Sequence, residues 1–291
     1  AKQWAGLMDA SRQPLATELI AIGEPPKPAT EVLAGVSMHP EWIIDAQPGG
    51  LVAGDALLSG FLQSRAETYR GGMSSPLTAR TVCSRLSPHL SLGTVSLRTI
   101  WQLSQTRRDE LKSEGGRSRF VASLKSFGSR LHWHCHFMQK LESEPRMEFE
   151  PLHRGFIGLR DYQSEDAECL QRLTEGCLGW PFVDACLRCL HQTGWINFRM
   201  RAMLVAVASY HLWLDWRLTA PVFARWFTDF EAGIHFSQMQ MQAGTTGINA
   251  NRIYSPIKQS EDQDPDGRFI RQWVPELSQV PSEWIHTPWK M

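Results

Sequence analysis

The spacing of apolar residues from about residue 51 onward narrows the possible folds most. They recur three and four positions apart, as in Leu57, Leu58, Phe61 and Leu62, and again in Phe120, Val121, Leu124, Phe127 and Leu131. That is the period of a helix buried on one face. No stretch shows the strict alternation of a half-buried strand, so the chain is expected to be all-α. One helix is predicted to start at Trp180-Pro181, where proline fits the first turn, to bury Phe182, Val183, Cys186, Leu187 and Leu190, and to stop at Gly194. A second, apolar on most faces, is predicted over about 196–214. From about 231 to 260 the period fades into Gly233, Gly244, Thr245, Thr246, Gly247, Asn249 and Asn251, which reads as a long functional loop. Asp264-Pro265-Asp266-Gly267 reads as a turn before a short helix starting at Arg268.

The first fifty residues are different in kind. Glu24-Pro25-Pro26-Lys27-Pro28 is forced into extended backbone, and Gln47-Pro48-Gly49-Gly50 breaks the chain before regular structure starts. Residues 1–50 are therefore expected to be linker-like, 51–291 to form one helical domain, and a further domain to lie upstream. With 291 residues and 42% hydrophobic content, the chain can bury one large core or two modest ones. It shows neither a long uninterrupted apolar run nor a signal-peptide pattern, so the expected setting is the cytoplasm or an organelle interior, away from membrane.

Thirty basic residues balance thirty acidic ones, which excludes a long-range positive field; any nucleic-acid site has to be a local patch. The six cysteines lack metal-site or disulfide-framework spacing, and Cys186 and Cys189 sit in apolar surroundings that suit buried, inert thiols. Twelve tryptophans supply core bulk and would also suit electron transfer through aromatic rings.

Several spaced motifs resemble one family. Cys83-Ser84-Arg85-Leu86-Ser87-Pro88-His89-Leu90-Ser91-Leu92-Gly93 puts small hydroxyls, backbone N–H groups and an arginine at a helix start, which suits an anion, although taken alone it more often marks an ordinary capped helix. Further on come Glu175-Gly176, Gly179, Pro181, Val183-Asp184-Ala185, Arg188, Thr193-Gly194-Trp195, Arg199, Arg201 and Asp215-Trp216-Arg217. Arg252-Ile253-Tyr254-Ser255-Pro256, Phe269-Ile270-Arg271-Gln272-Trp273 and Pro288-Trp289-Lys290 follow. Together these make residues 51–291 similar to the helical FAD-binding domain of the cryptochrome and DNA photolyase family, without the α/β antenna domain that usually precedes it.

The resemblance implies roles. Tyr69 and Cys83, Ser84, Arg85, Leu86 and Ser87 match positions around the FAD phosphates, with Cys83 where threonine is usual. Arg201 and Asp229 match an ion pair beside the isoalloxazine ring, where a fixed cation favours negative charge on the flavin. Phe230 and Glu231 fall near the adenine, ribose and flavin edge, and His235 falls opposite flavin N5, as an imidazole able to exchange a proton near neutral pH. Trp133 matches a tryptophan that stacks on a flipped-out DNA lesion. Around it Arg130 stands for a carboxylate, Phe198 for an asparagine and Met241 for a second tryptophan, while His134, Phe137 and Arg199 complete the expected DNA surface. Met239 replaces the tryptophan nearest the flavin and Trp216 matches the next one in the electron-transfer chain. His132 and His136 share a helix face without a third metal ligand. The implied function is blue-light electron transfer from FAD, either in photorepair of damaged DNA or in a photoreceptor that signals through its redox state.

Overall fold

A computed structural model of the chain describes residues 2–9, 46–115, 118–161, 163, 165–248 and 253–291, and the described residues form helices and loops with no strand. The proline-rich part of the linker-like stretch lies outside the described residues, as do Asn249, Asn251 and Arg252. In chain order the helices are α1 (Lys2–Asp9), α2 (Leu51–Gly60), α3 (Ala66–Gly72), α4 (Pro76–Val82), α5 (Ser87–Ser91), α6 (Leu97–Ser113), α7 (Ser118–Ser143), α8 (Asp166–Glu175), α9 (Pro181–Thr193), α10 (Phe198–Ala206), α11 (Trp216–Trp226), α12 (Ala232–Ala243), α13 (Pro256–Gln263) and α14 (Arg268–Trp273). No described helix is long and apolar enough to cross a membrane.

Local chemistry sets the boundaries. Pro181 opens α9 and Gly194, at φ 66°, closes it as the sequence predicts. Ser96, Asp215 and Ser255 each accept a backbone N–H from the first turn they precede. The helix predicted over 196–214 begins at Phe198, is α-helical only to Ala206, and widens into a π-helical turn over Val207–His211. The turn before α14 is held by Asp264, fully buried, whose carboxylate accepts from Phe269 N and Ile270 N at 2.9 Å each.

The long loop expected over 231–260 is instead largely helical, through α12 and α13. Two features hid α12. Its buried face carries His235, Ser237, Gln240 and Gln242 beside Met239, so no apolar stripe marks it. Gly233, which reads as a loop signal, serves close approach: a Cβ there would stand 2.7 Å from the Phe137 backbone oxygen in α7. Gly244, in the left-handed region at φ 76°, is the real stop.

Two apolar cores result. Leu58, Phe61, Ile100, Leu124 and Phe127 form one among α2, α3, α6 and α7, while Val183, Leu190, Met203, Trp216, Phe223 and Ile270 form the other among α9 to α12 and α14. Helix α7 packs on α6 and on α12, and so joins them. Part of the linker-like stretch is ordered as α1, which lies on α6 with Trp4 edge-on to Trp101 at 4.7 Å. Cys186 and Cys189 are buried thiols; burial pushes Cys189 up to about 11 and Cys186 well above its ordinary value.

Candidate functional site

The site starts from the first turns of α10 and the corner between α11 and α12. Arg201 Nη1 and Nη2 donate to the two carboxylate oxygens of Asp229 at 2.8 and 2.9 Å, and its Nε donates to Ile196 O at 2.7 Å. The Asp229 side chain is 4% exposed. Burial alone would favour the neutral acid, yet Arg201 and the Ser87 hydroxyl outweigh it and hold the carboxyl below its ordinary range. Phe227 lies under the guanidinium at 4.2 Å, which fixes the cation further.

Ser87 brings the Cys83–Ser87 segment to this pair, because its hydroxyl bonds Asp229 rather than capping a helix. The segment does open a helix, α5, but no side chain caps it, so the capped-helix alternative does not account for its hydroxyls. Ser84 Oγ accepts from Leu86 N at 3.4 Å, and Leu86 is buried in the first core. Its distinctive member is Arg85, a non-glycine residue at φ 62°, whose guanidinium lies 3.9 Å from the Trp195 ring and whose Nε donates to Gln47 Oε1 at 3.0 Å. Burial, then repulsion from Arg80 and Arg201 against attraction to Asp229, pushes Arg85 down to about 10. Cys83 is also buried enough that its thiol is pushed up to about 11, and its carbonyl accepts from Arg65 Nη1 at 2.6 Å. Tyr69, likewise buried and pushed up to about 12, is hydrogen-bonded to the exposed Arg130.

A cavity of about 80 Å³ opens beside the ion pair. Of the residues singled out in the sequence, Phe198, Arg201, Asp229, Phe230, Glu231, His235 and Met239 line it. Phe227, Gln238 and Gln242 line it too and were missed; the only signal for Phe227 was its place two residues before Asp229. Trp133, Phe137, Arg199 and Met241 are not in its wall, and Trp216 is buried in the second core. Trp133 is 46% exposed on α7 and stacks on Phe137 at 5.6 Å. His134 approaches the Glu231 carboxylate to 2.8 Å, out of line for a hydrogen bond. Arg199 Nε is buried with no partner among the described residues. His132 and His136 take separate neighbours, Trp4 and Trp133 respectively, and among the described residues no three His, Cys, Asp or Glu side chains gather as a metal site.

His235 departs from its expected chemistry. Its Nε2–H donates to Ala220 O at 3.0 Å, and burial drives its pKa down to about 4, so the ring is neutral at neutral pH rather than poised to exchange a proton. The unfolded chain, with an ordinary histidine near 6.5, binds a proton between about pH 6.5 and 4 that the folded chain refuses. Stability should therefore fall as pH drops through that window. His235→Gln is expected to flatten this dependence, read as the shift in urea midpoint between pH 7.5 and pH 5; an unaltered shift in the variant would count against it.

Residues 127–291 match the family model described as the FAD binding domain of DNA photolyase. The chain is 32% identical over 238 residues to a deoxyribodipyrimidine photo-lyase of Vibrio cholerae, a match covering 80% of this chain and 48% of that protein. Among solved structures, a Synechocystis cryptochrome superposes with a TM-score of 0.77 at 26% identity, covering 93% of this chain and 54% of that one. An archaeal photolyase from Sulfolobus tokodaii, solved with two FAD molecules, superposes at 0.67 with 28% identity, covering 84% and 50%. The chain spans about half the length of the curated relatives it matches. The charges are of the sign such a cofactor needs: Arg80 and Arg201 both repel Arg85, so positive charge is concentrated on this side of the Arg201–Asp229 pair.

Proposed function

Since the chain belongs to the photolyase and cryptochrome family and carries its FAD-binding fold, we propose that residues 51–291 act as a light-driven electron-transfer domain serving DNA photorepair, a photolyase-type lyase activity. The observation that carries this reading is the forked Arg201–Asp229 pair, tied by Ser87 to the segment bearing Arg85, in the wall of one cavity. Bound FAD would supply the light absorption and the transferable electron.

The residues of the chain supply the rest. Arg201 sets a positive charge that Asp229 and Phe227 keep from turning, while Arg85, with Tyr69, Cys83, Ser84 and Leu86 around it, forms the phosphate end. His235 presents a neutral ring beside Phe230 and Glu231. At about 80 Å³ the cavity is small beside the roughly 300–1,000 Å³ of usual ligand sites, and a tricyclic ring would need Phe198 and Phe230, both exposed and both lining it, to be displaced. Met239 in the cavity wall and Trp216 in the core behind it stand where electrons would pass. The stacked Trp133–Phe137 pair would offer the apolar surface for a flipped base, and Arg130, His134, Phe198, Arg199 and Met241 are the further residues proposed to contact DNA. An α/β antenna domain, in the same polypeptide or a separate one, is the expected companion.

The test is binding to an oligonucleotide carrying a cyclobutane dimer and to its undamaged counterpart. The repair reading expects at least tenfold preference for the damaged strand, lost in Trp133→Ala. Equal binding of both strands, with flavin photochemistry intact, would reject repair and leave the photoreceptor reading. One observation favours that alternative: Arg130, which stands in the place of a carboxylate, is engaged with Tyr69.

A further inference from the structure

A second pocket, of about 310 Å³, lies between α6 and α7 under the end of α1, and its size falls within the range of small-molecule sites. It is on the far side of α7 from the cavity beside Arg201. Lys125, Gly128, Ser129 and His132 recur at helical spacing along one stripe of α7, and His134, which approaches Glu231, is turned about 200° from His132 at 100° per residue.

The pocket's apolar wall is aromatic. Trp101 of α6 lies over Gly128, where an added Cβ would be 3.0 Å from the indole Cζ3. Glycine in the middle of a helix costs about 1 kcal/mol relative to alanine, and here it gives the indole its seat. Trp4 meets both Trp101, at 4.7 Å, and the His132 ring, at 4.9 Å, edge to face. The polar wall is cationic. Lys125 is exposed and makes no ion pair among the described residues. Arg108 reaches Asp109 only at 3.5 Å, while Lys112 holds the same carboxylate at 2.9 Å. Among the described residues no carboxylate lines the pocket, although Asp9 Oδ1 accepts from Trp101 Nε1 at 3.1 Å at its aromatic edge, and Gln105 and Ser129 add an amide and a hydroxyl.

We propose that this pocket binds a nucleoside phosphate. A flat base has indole and imidazole rings to pack on, the phosphate has a guanidinium and an ammonium within one wall, and the amide and hydroxyl can bond a base edge. A neutral aromatic ligand would leave Lys125 without a counter-charge, and a simple inorganic anion would leave the indoles without a ring. The same chemistry is available from a free mononucleotide or from one nucleotide of a single strand.

The test is calorimetric titration of the full chain with AMP, repeated in two variants. Lys125→Glu changes an exposed side chain and should keep the wild-type melting temperature, and Trp101→Ala removes the ring platform. Saturable one-site binding, weakened at least tenfold in both variants, is the expected result. A parallel titration with dTMP and with a ten-residue thymidylate strand separates the sources. Tighter binding of the strand that depends on Lys125 assigns the site to a strand, whereas equal or weaker binding assigns it to the free nucleotide. No heat up to millimolar AMP, or binding that survives both substitutions unchanged, would overturn the proposal.

Discussion

Arg201→Ala is expected to destabilise the chain by about 3–5 kcal/mol and to abolish retention of FAD. The size follows from what is left behind. Asp229, 4% exposed, would keep the Ser87 hydroxyl and lose both charge-assisted bonds at 2.8 and 2.9 Å, so a buried carboxylate would face burial uncompensated. The Ile196 carbonyl would also lose its donor. The effect on the cofactor has a separate cause, since the same guanidinium lines the cavity and contributes charge to the Arg80–Arg85 cluster. Urea unfolding gives the first number and bound flavin per chain the second. A loss under 1 kcal/mol would show that the pair is solvated rather than buried. Because the partner left behind dominates the cost, removing both charges together should cost less than removing Arg201 alone.

Gln240→Leu is expected to cost about 3 kcal/mol or more, although leucine is close in volume and the site is fully buried. The glutamine accepts from Leu152 N at 2.7 Å and donates to Met147 O at 2.7 Å and Glu150 O at 2.9 Å. It also receives the Thr245 hydroxyl at 3.2 Å, so a single side chain secures the segment before α8 against α12. Leucine would strand those groups, at roughly 1–3 kcal/mol for each left buried without a partner. Chemical denaturation measures the total, and hydrogen exchange at the Leu152 amide should show the local loss first. A variant within 1 kcal/mol of wild type, with Leu152 still protected, would contradict this account.

What the sequence disclosed depended on whether local and tertiary demands agreed. In α9 they agree: proline in the first turn, an apolar face and Gly194 past the last turn all describe the same helix, and it was legible to its boundaries. In α12 they conflict, because packing against the Phe137 carbonyl requires Gly233 and core hydrogen bonding requires Gln240, and both residues disguise a helix. The candidate site divides in the same way. The partnership of Arg201 with Asp229 was legible through family spacing, as was the grouping of Phe230, Glu231, His235 and Met239 around them. The Ser87–Asp229 bond, the left-handed backbone of Arg85 and the neutral state of His235 come from contacts between distant segments and from burial, which no local pattern encodes. The removal of Trp133 from the cavity wall has the same origin, since it is set by how α7 turns against α12.

The most direct test of the flavin reading is the visible absorption spectrum of the full chain after incubation with FAD and removal of unbound cofactor, in the dark and then under blue light with a thiol reductant. The account expects oxidised-flavin bands that stay with the protein and bleach on illumination, both lost in Arg201→Ala. A colourless wild-type chain that cannot be loaded with FAD, while folded by circular dichroism, would contradict it.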